Sequence, residues 1–227
     1  MKLITSLSFA LLIITLNFLS ISKADQQELI NYNDAKDIFW TLDYNRTGTT
    51  LYCYKTYTSK NGLNIEHVFA AGWMKEVSGC PNSNRKECRK QSPMFNRMEA
   101  DLHNLYPTVS KANSIRGSLT FGIIDGISQN ECDFEVDEQS FEPPPSARGA
   151  IARALLYMSN EYGADLNKAA EASNLNDLVT YWHCNYPVEQ KEIERNKQIF
   201  EIQGTDNPFV SGRQTVNCQN IKTFATD

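Results

Sequence analysis

The sequence predicts an α+β protein, mainly helical, with a small antiparallel sheet. Three observations carry that reading. Apolar residues recur at helical spacing in several segments. A stretch rich in Thr and Tyr is followed by an Asn-Gly turn and a second apolar run, the pattern of a hairpin. No repeat, low-complexity stretch or dividing linker interrupts the 227 residues.

The N-terminus reads as an address and not as structure. Lys2 supplies a positive start, residues 3–16 are almost wholly apolar, and Ser22-Lys23-Ala24 ends in small residues, the layout of a secretory signal peptide cleaved after Ala24. A membrane anchor is the competing reading. The run is short for the ~20 residues a span needs, and it is broken by Ser6, Ser8, Thr15 and Asn17. Cleavage leaves residues 25–227 as a single domain, long enough to bury its own core.

Residues 28–42 carry Leu29, Ile30, Ile38, Phe39 and Leu42 with polar residues between them, and predict an amphipathic helix. Residues 49–58 predict a strand, Asn61-Gly62 a turn and residues 63–69 a second strand, making a hairpin over 49–69. Residues 70–92 are polar and loop-like. Residues 93–102 can be helical, and 107–115 predict a short helix with Pro107 near its first turn and Gly117 as its stop. After Pro143-Pro144-Pro145, Ile151, Ala154, Leu155, Met158 and Tyr162 mark a core helix that ends at Gly163. Residues 174–182 and 189–202 predict two more helices, and 204–208 a turn cluster.

All six cysteines lie beyond residue 24. An even number behind a signal peptide implies an oxidising compartment and three disulfides. Zinc is the alternative, but there is no C-x-x-C pair to favour it. Cys80 and Cys88, which flank a polar loop, pair; the partners of Cys53, Cys132, Cys184 and Cys218 stay open.

The formal charge of −5 becomes −7 once Lys2 and Lys23 are removed, which opposes binding a polyanion. Its distribution is uneven. Lys75, Arg85, Lys86, Arg89, Lys90, Arg97, Lys111 and Arg116 outnumber Glu76, Glu87, Glu99 and Asp101 in residues 75–116, and it is a local field that phosphates meet. A solvated face would have the same composition.

Three histidines are present, so the search for a base is short. His183, between Trp182 and Cys184, reads as structural. His67 follows Glu66 at the end of a predicted strand and opens onto the basic segment. Phosphodiester hydrolysis needs a base for water, a cation on the phosphate oxygens and a donor for developing charge. His67 can be the base, Glu66 and Asn113 can offer hard oxygens to Mg²⁺, and Arg85 can grip the phosphate with two prongs. Alternate strand residues face opposite ways, so Glu66 and His67 face one phosphate only if the strand ends, bends or bulges between them. Trp73, Phe95 and Tyr106 can stack on bases or belong to the core.

The runs Glu66-His67-Val68, Asp101-Leu102-His103-Asn104-Leu105 with Pro107, Asn113 with Arg116-Gly117, and Arg148-Gly149-Ala150-Ile151-Ala152-Arg153 resemble the bacterial endonuclease I family. Gln203-Gly204 and Asn207-Pro208 extend the likeness, which covers residues 28–210. The resemblance implies an α+β fold with a ββα-metal, or His-Me finger, site. It implies a secreted, periplasmic or extracellular endonuclease, which we expect to be a monomer. Such an enzyme uses one divalent cation (Mg²⁺, with Mn²⁺ or Ca²⁺ as alternatives) to cleave DNA, and RNA too, with little sequence preference, leaving 5′-phosphate ends. By motif, His67 falls on the general base, Glu66 and Asn113 on metal ligands, Arg85 on the phosphate-binding arginine, and Asn104 and Arg116 on supporting positions. Asn104 can instead tie down a loop, and Arg116 can be a helix-end charge. His103 is assigned packing or hydrogen bonding. Asn64 departs from the family pattern, which often has an acidic residue there. The rival readings are a nucleic-acid-binding module without catalysis and a disulfide-stapled structural or adhesive protein.

Overall fold

The computed structural model describes residues 26–42, 48–125 and 131–224. The signal peptide expected at 1–24 lies outside them. The helix expected over 28–42 is α1, Tyr32–Phe39, started by the Asn31 side chain accepting from the Asn33 N–H.

The expected hairpin does not form as drawn. Strand β1 (Gly48–Thr49) pairs with β2 (Thr56–Tyr57) over two residues, and residues 50–55 fold into a tight turn with Tyr54 at φ 47. Strand β3 (Leu63–His67) pairs instead with β4 (Leu105–Val109), antiparallel over five residues from Leu63↔Val109 to His67↔Leu105. A five-residue partner satisfies far more backbone than the two residues left beyond the turn. Residues 105–109 are therefore strand and not the start of a helix. Pro107 stands opposite Ile65, where its missing N–H costs nothing at an edge, and its carbonyl accepts from Leu51 N at 2.8 Å. The helix begins later, as α5 (Ser110–Arg116), and stops at Gly117, φ 52.

The expected loop at 70–92 contains two helices, α2 (Ala71–Val77) and α3 (Arg85–Gln91). Helix α3 lacks an apolar periodicity to betray it. It is started by a capping box in which Asn84 and Glu87 satisfy one another's backbone N–H groups, and Cys88 anchors it to Cys80. Helix α4 (Pro93–Ala100) follows, capped by Ser92, then a 3₁₀ turn at Leu102–Asn104. Thus β3, the α2–α4 insertion, β4 and α5 form a strand–strand–helix unit.

A second sheet joins β5 (Thr120–Phe121), β6 (Glu135–Val136) and β7 (Ser140–Glu142) in the order β5-β7-β6. Its β5–β7 pairing is parallel, which the sequence does not indicate. Helix α6 (Pro145–Tyr162) is the core helix, closed by Gly163 at φ 66. Then come α7 (Leu166–Ala169), α8 (Leu175–Asn185), α9 (Gln190–Gln203) and α10 (Pro208–Ser211). The protein is a mainly helical α+β fold, as expected.

The main core packs α6 and α8 against Phe121, Phe141, Phe95 and Met98. Trp73, Phe95 and Tyr106 are buried in it, so they are not platforms for bases. A smaller core gathers Phe39, Leu102, Leu105 and Ile199, with Ile65 against it. Two buried ion pairs, Arg148 with Glu142 and Arg153 with Glu192, each at 2.6 Å, lock α6 to its neighbours. Gly149 lies between them because a Cβ would come within 2.6 Å of the Arg153 guanidinium and 2.9 Å of Tyr186. Cys80–Cys88 bond as expected, and the open cysteines resolve into Cys53–Cys132 and Cys184–Cys218. No helix among the described residues is long and apolar enough to cross a membrane.

Candidate functional site

Glu66 and His67 are the last two residues of β3, and the register runs through both without a bulge. Their side chains therefore leave opposite faces. The strand ends after both residues and not between them, so the expected bend or bulge between them is absent and what they share is the tip.

On one face Glu66 is buried. Tyr52 donates to its Oε1 at 2.7 Å, and Arg116 Nη1 lies 3.1 Å from the same oxygen. Burial raises its carboxyl pKa, while the Arg116 cation and the Tyr52 hydrogen bond pull it down. Asn64 occupies the same face two residues earlier. Its Oδ1 accepts from Asn113 Nδ2 at 2.7 Å, and the Ile65 carbonyl accepts from the same nitrogen at 3.1 Å. Asn113 is thus fixed beside the strand with its amide nitrogen committed, leaving Oδ1 as the acceptor to offer. Asn64, at a position where the family pattern often has an acidic residue, holds Asn113 by an acceptor oxygen that a carboxylate would also provide.

On the other face His67 Nε2 is 3.0 Å from the Glu99 carbonyl oxygen. A carbonyl can only accept, so Nε2 carries the proton and Nδ1 is left as the basic nitrogen. Burial lowers the His67 pKa to about 3, with Arg85 adding to the effect and the Glu99 carbonyl opposing it. The Glu99 side chain is fully buried and collects two arginines of α3. Arg85 Nε meets its Oε1, while Arg89 Nε and Nη2 donate at 2.6 and 2.8 Å. The Tyr32 ring lies 5.0 Å from the His67 ring and beneath both guanidiniums, at 5.1 and 5.8 Å. One nitrogen of Arg85, Nη2, is buried with no hydrogen-bond partner among the described residues, an unmet donor.

Arg116 and Asn104 hold the tip itself. Arg116 is wholly buried; Nη1 donates to the carbonyls of His67 and Gly117, and Nη2 to that of Val68 at 2.7 Å. The Trp73 and Phe121 rings lie 4.8 and 4.7 Å from its guanidinium. Asn104 accepts from Phe69 N at 2.6 Å and donates to Phe69 O at 3.1 Å, while its own carbonyl takes Val68 N. Arg116 is therefore a buried brace and not an exposed helix-end charge. His103 points elsewhere, donating from Nε2 to Thr205 O at 2.9 Å.

A model of the endonuclease I family matches residues 14–213. This chain belongs to the endonuclease I family. It is 38% identical over 151 residues to an extracellular deoxyribonuclease of Aeromonas hydrophila, a match covering 64% of this chain and 63% of that protein. It is 33% identical over 165 residues to endonuclease-1 of Buchnera aphidicola subsp. Acyrthosiphon pisum, covering 69% and 64%. It is also 28% identical over 123 residues to an extracellular ribonuclease of Bacillus subtilis, covering 48% and 43%. The chain thus spans less than two-thirds of the length of each of these relatives.

In this endonuclease I family member, the structure brings Glu66, Asn113 and Arg116 together on one side of the strand tip and His67 with Arg85 on the other. Sequence reasoning missed Glu99, Arg89, Tyr52 and Tyr32. The spacing of Arg85 and Arg89, one helical turn apart, was a usable signal, hidden by reading 70–92 as loop. Nothing local marks Glu99, Tyr52 or Tyr32.

Of the basic segment, Lys86, Lys90 and Lys111 are exposed. Together with half-buried Arg85 and Arg89 they lie on α3 and α5, the helices that flank the tip. No group of three or more His, Cys, Asp or Glu able to hold a metal occurs among the described residues. All six cysteines are in disulfides, so no thiolate is left for a site of the zinc type. Glu66 and Asn113 offer two hard oxygens and no more, which fits a cation that keeps several of its waters, as Mg²⁺ does.

Proposed function

We propose that this chain is a secreted, metal-dependent endonuclease that hydrolyses DNA, and RNA as well, with little sequence preference. One observation carries the reading: the Glu99 carbonyl engages the His67 Nε2 proton and leaves Nδ1 as the basic nitrogen, while Arg85 packs on the same Tyr32 ring and keeps one nitrogen without a partner among the described residues. That arrangement offers a base for water and a donor for a phosphate oxygen. The relatives named as extracellular deoxyribonuclease and extracellular ribonuclease support the substrate class and the export.

Nucleases of this family are in general dependent on a divalent metal ion. Glu66 and Asn113 would hold it here, and Mg²⁺ suits their oxygen donors. When bound, the ion supplies Lewis-acid stabilisation of the phosphate and leaving-group oxygens. His67 Nδ1 accepts a proton from the attacking water. Arg85 donates to a non-bridging oxygen, and Arg89 shares Glu99 with it, keeping the fork in place. Burial is the main cause of the lowered His67 pKa and Arg85 adds to it, so a phosphate anion that pairs with Arg85 relieves that second part of the depression. Substrate binding thereby strengthens the base when it is needed. Asn104 and Arg116 keep the 66–69 backbone rigid, so the base stays within reach of its water. The exposed lysines add affinity for any backbone, without sequence information and with a steep salt dependence. Products carry 5′-phosphates. The mature enzyme runs from residue 25 as one monomeric domain.

The test is degradation of supercoiled plasmid by the purified mature protein in Mg²⁺, with EDTA as control. DNA left intact in Mg²⁺, Mn²⁺ and Ca²⁺, yet still retarded in a gel, would replace this reading with a non-catalytic nucleic-acid-binding protein.

A further inference from the structure

The Glu66 carboxylate is gripped by one oxygen. Tyr52 and Arg116 both contact Oε1, so Oε2 has no protein partner among the described residues. The two donors differ in what else they do. Arg116 also holds the carbonyls of His67, Val68 and Gly117, and would brace the strand tip whatever Glu66 did. The Tyr52 hydroxyl has Glu66 as its one hydrogen-bond partner among the described residues.

Tyr52 is built to stay where it is. It is fully buried, its ring lies 4.8 Å from Phe141, and its neighbour Cys53 is bonded to Cys132. A buried tyrosine hydroxyl needs a partner, and this one spends its proton on the carboxylate that the site depends on. Without that bond the carboxylate can turn about its last torsion, and Arg116 can then take both oxygens in the two-pronged manner guanidinium favours. Oε2 would be covered.

We propose that Tyr52 is a positioning residue for the metal: its hydroxyl clamps Glu66 Oε1 and so presents Oε2 to a divalent cation. This rests on the reading of Glu66 as a metal ligand. Partners of this kind, once removed, cost metal affinity on the order of 10- to 100-fold.

The experiment is calorimetric titration of the mature, disulfide-bonded protein with MnCl₂ in the absence of nucleic acid. The variants are Tyr52→Phe, Glu66→Gln and the pair combined. Tyr52→Phe is expected to weaken the Mn²⁺ dissociation constant by about 10-fold, while turnover at saturating Mn²⁺ returns towards the wild-type value. Glu66→Gln is expected to lose measurable binding, with no further loss in the double variant. A Tyr52→Phe constant within about twofold of wild type, alongside lost binding in Glu66→Gln, overturns the positioning role and leaves the ligand assignment standing. Wild-type binding in Glu66→Gln overturns both. Thermal unfolding in EDTA separates a fold defect from a site defect. If Tyr52→Phe does not fold, Tyr52→Met, which likewise removes the hydroxyl while an adaptable apolar chain fills the ring's space, replaces it, with the same expected and overturning results.

Discussion

Acid should destabilise this protein through His103, by an amount its surroundings define. The imidazole is 1% exposed. Burial, with the Arg195 guanidinium adding to it, lowers its pKa to about 3, against the Thr205 carbonyl, which raises it. Asp101 faces it through the His103 backbone N–H, and the Tyr157 ring lies 4.5 Å away. In the unfolded chain the same group titrates near ~6.5. As the pH falls below that value the unfolded state takes up a proton that the folded state refuses. The stability His103 allows is therefore full above about 6.5 and drains away until the folded pKa is reached. Between pH 7 and pH 5 the loss is about 2 kcal/mol for this one group, a figure that needs only a folded pKa well below 5.

The perturbation that isolates it is His103→Gln, which can keep a donor to Thr205 O and cannot titrate. The buried carboxyls of Glu66 and Asp101, whose pKa values are raised by burial, act in the opposite direction. They are present in both proteins and cancel in the difference. Denaturant unfolding with disulfides intact, at pH 7, 6 and 5, should show the wild type's advantage over His103→Gln shrinking by about 2 kcal/mol across that range. Stability curves that run parallel from pH 7 to 5 would refute the reasoning, since they would mean His103 protonates as readily folded as unfolded.

Three further outcomes are expected. His67→Ala should lose on the order of 10²- to 10⁴-fold in plasmid-cleavage rate, while DNA retention in EDTA, measured by gel shift, stays close to wild type. Cys88→Ser should release α3, and with it Arg85 and Arg89. The eight-residue separation of Cys80 and Cys88 makes the loop small, and its closure is worth about 2–3 kcal/mol, so cleavage should fall more than the melting temperature. Asn64→Asp keeps an acceptor for Asn113 Nδ2 and adds a negative charge near Glu66. It should lower the Mg²⁺ concentration that half-saturates activity, as read from a metal titration at fixed DNA.

What the sequence made legible is what is decided locally. Helix α6 could be read because its apolar residues repeat every turn and Gly163 ends it; Cys80–Cys88 could be read because a short polar segment has few other ways to close. Helix α3 could not, because it is held by a capping box and a disulfide and not by an apolar stripe. The partner of β3 could not be read either. Residues 105–109 lie about forty residues downstream, and Pro107 argued for a helix start until an edge-strand position made its missing N–H harmless.

The site divides along the same line. From the sequence, Glu66, His67, Arg85 and Asn113 could be singled out as candidates, because their order along the chain resembles the endonuclease I pattern. Only the tertiary structure decided which nitrogen of His67 is free, which oxygen of Glu66 is covered, and that Glu99 binds two arginines. Those are pairings between residues distant in the chain, made by burial. A buried donor or acceptor must find a partner, and which one it finds depends on what the fold brings beside it.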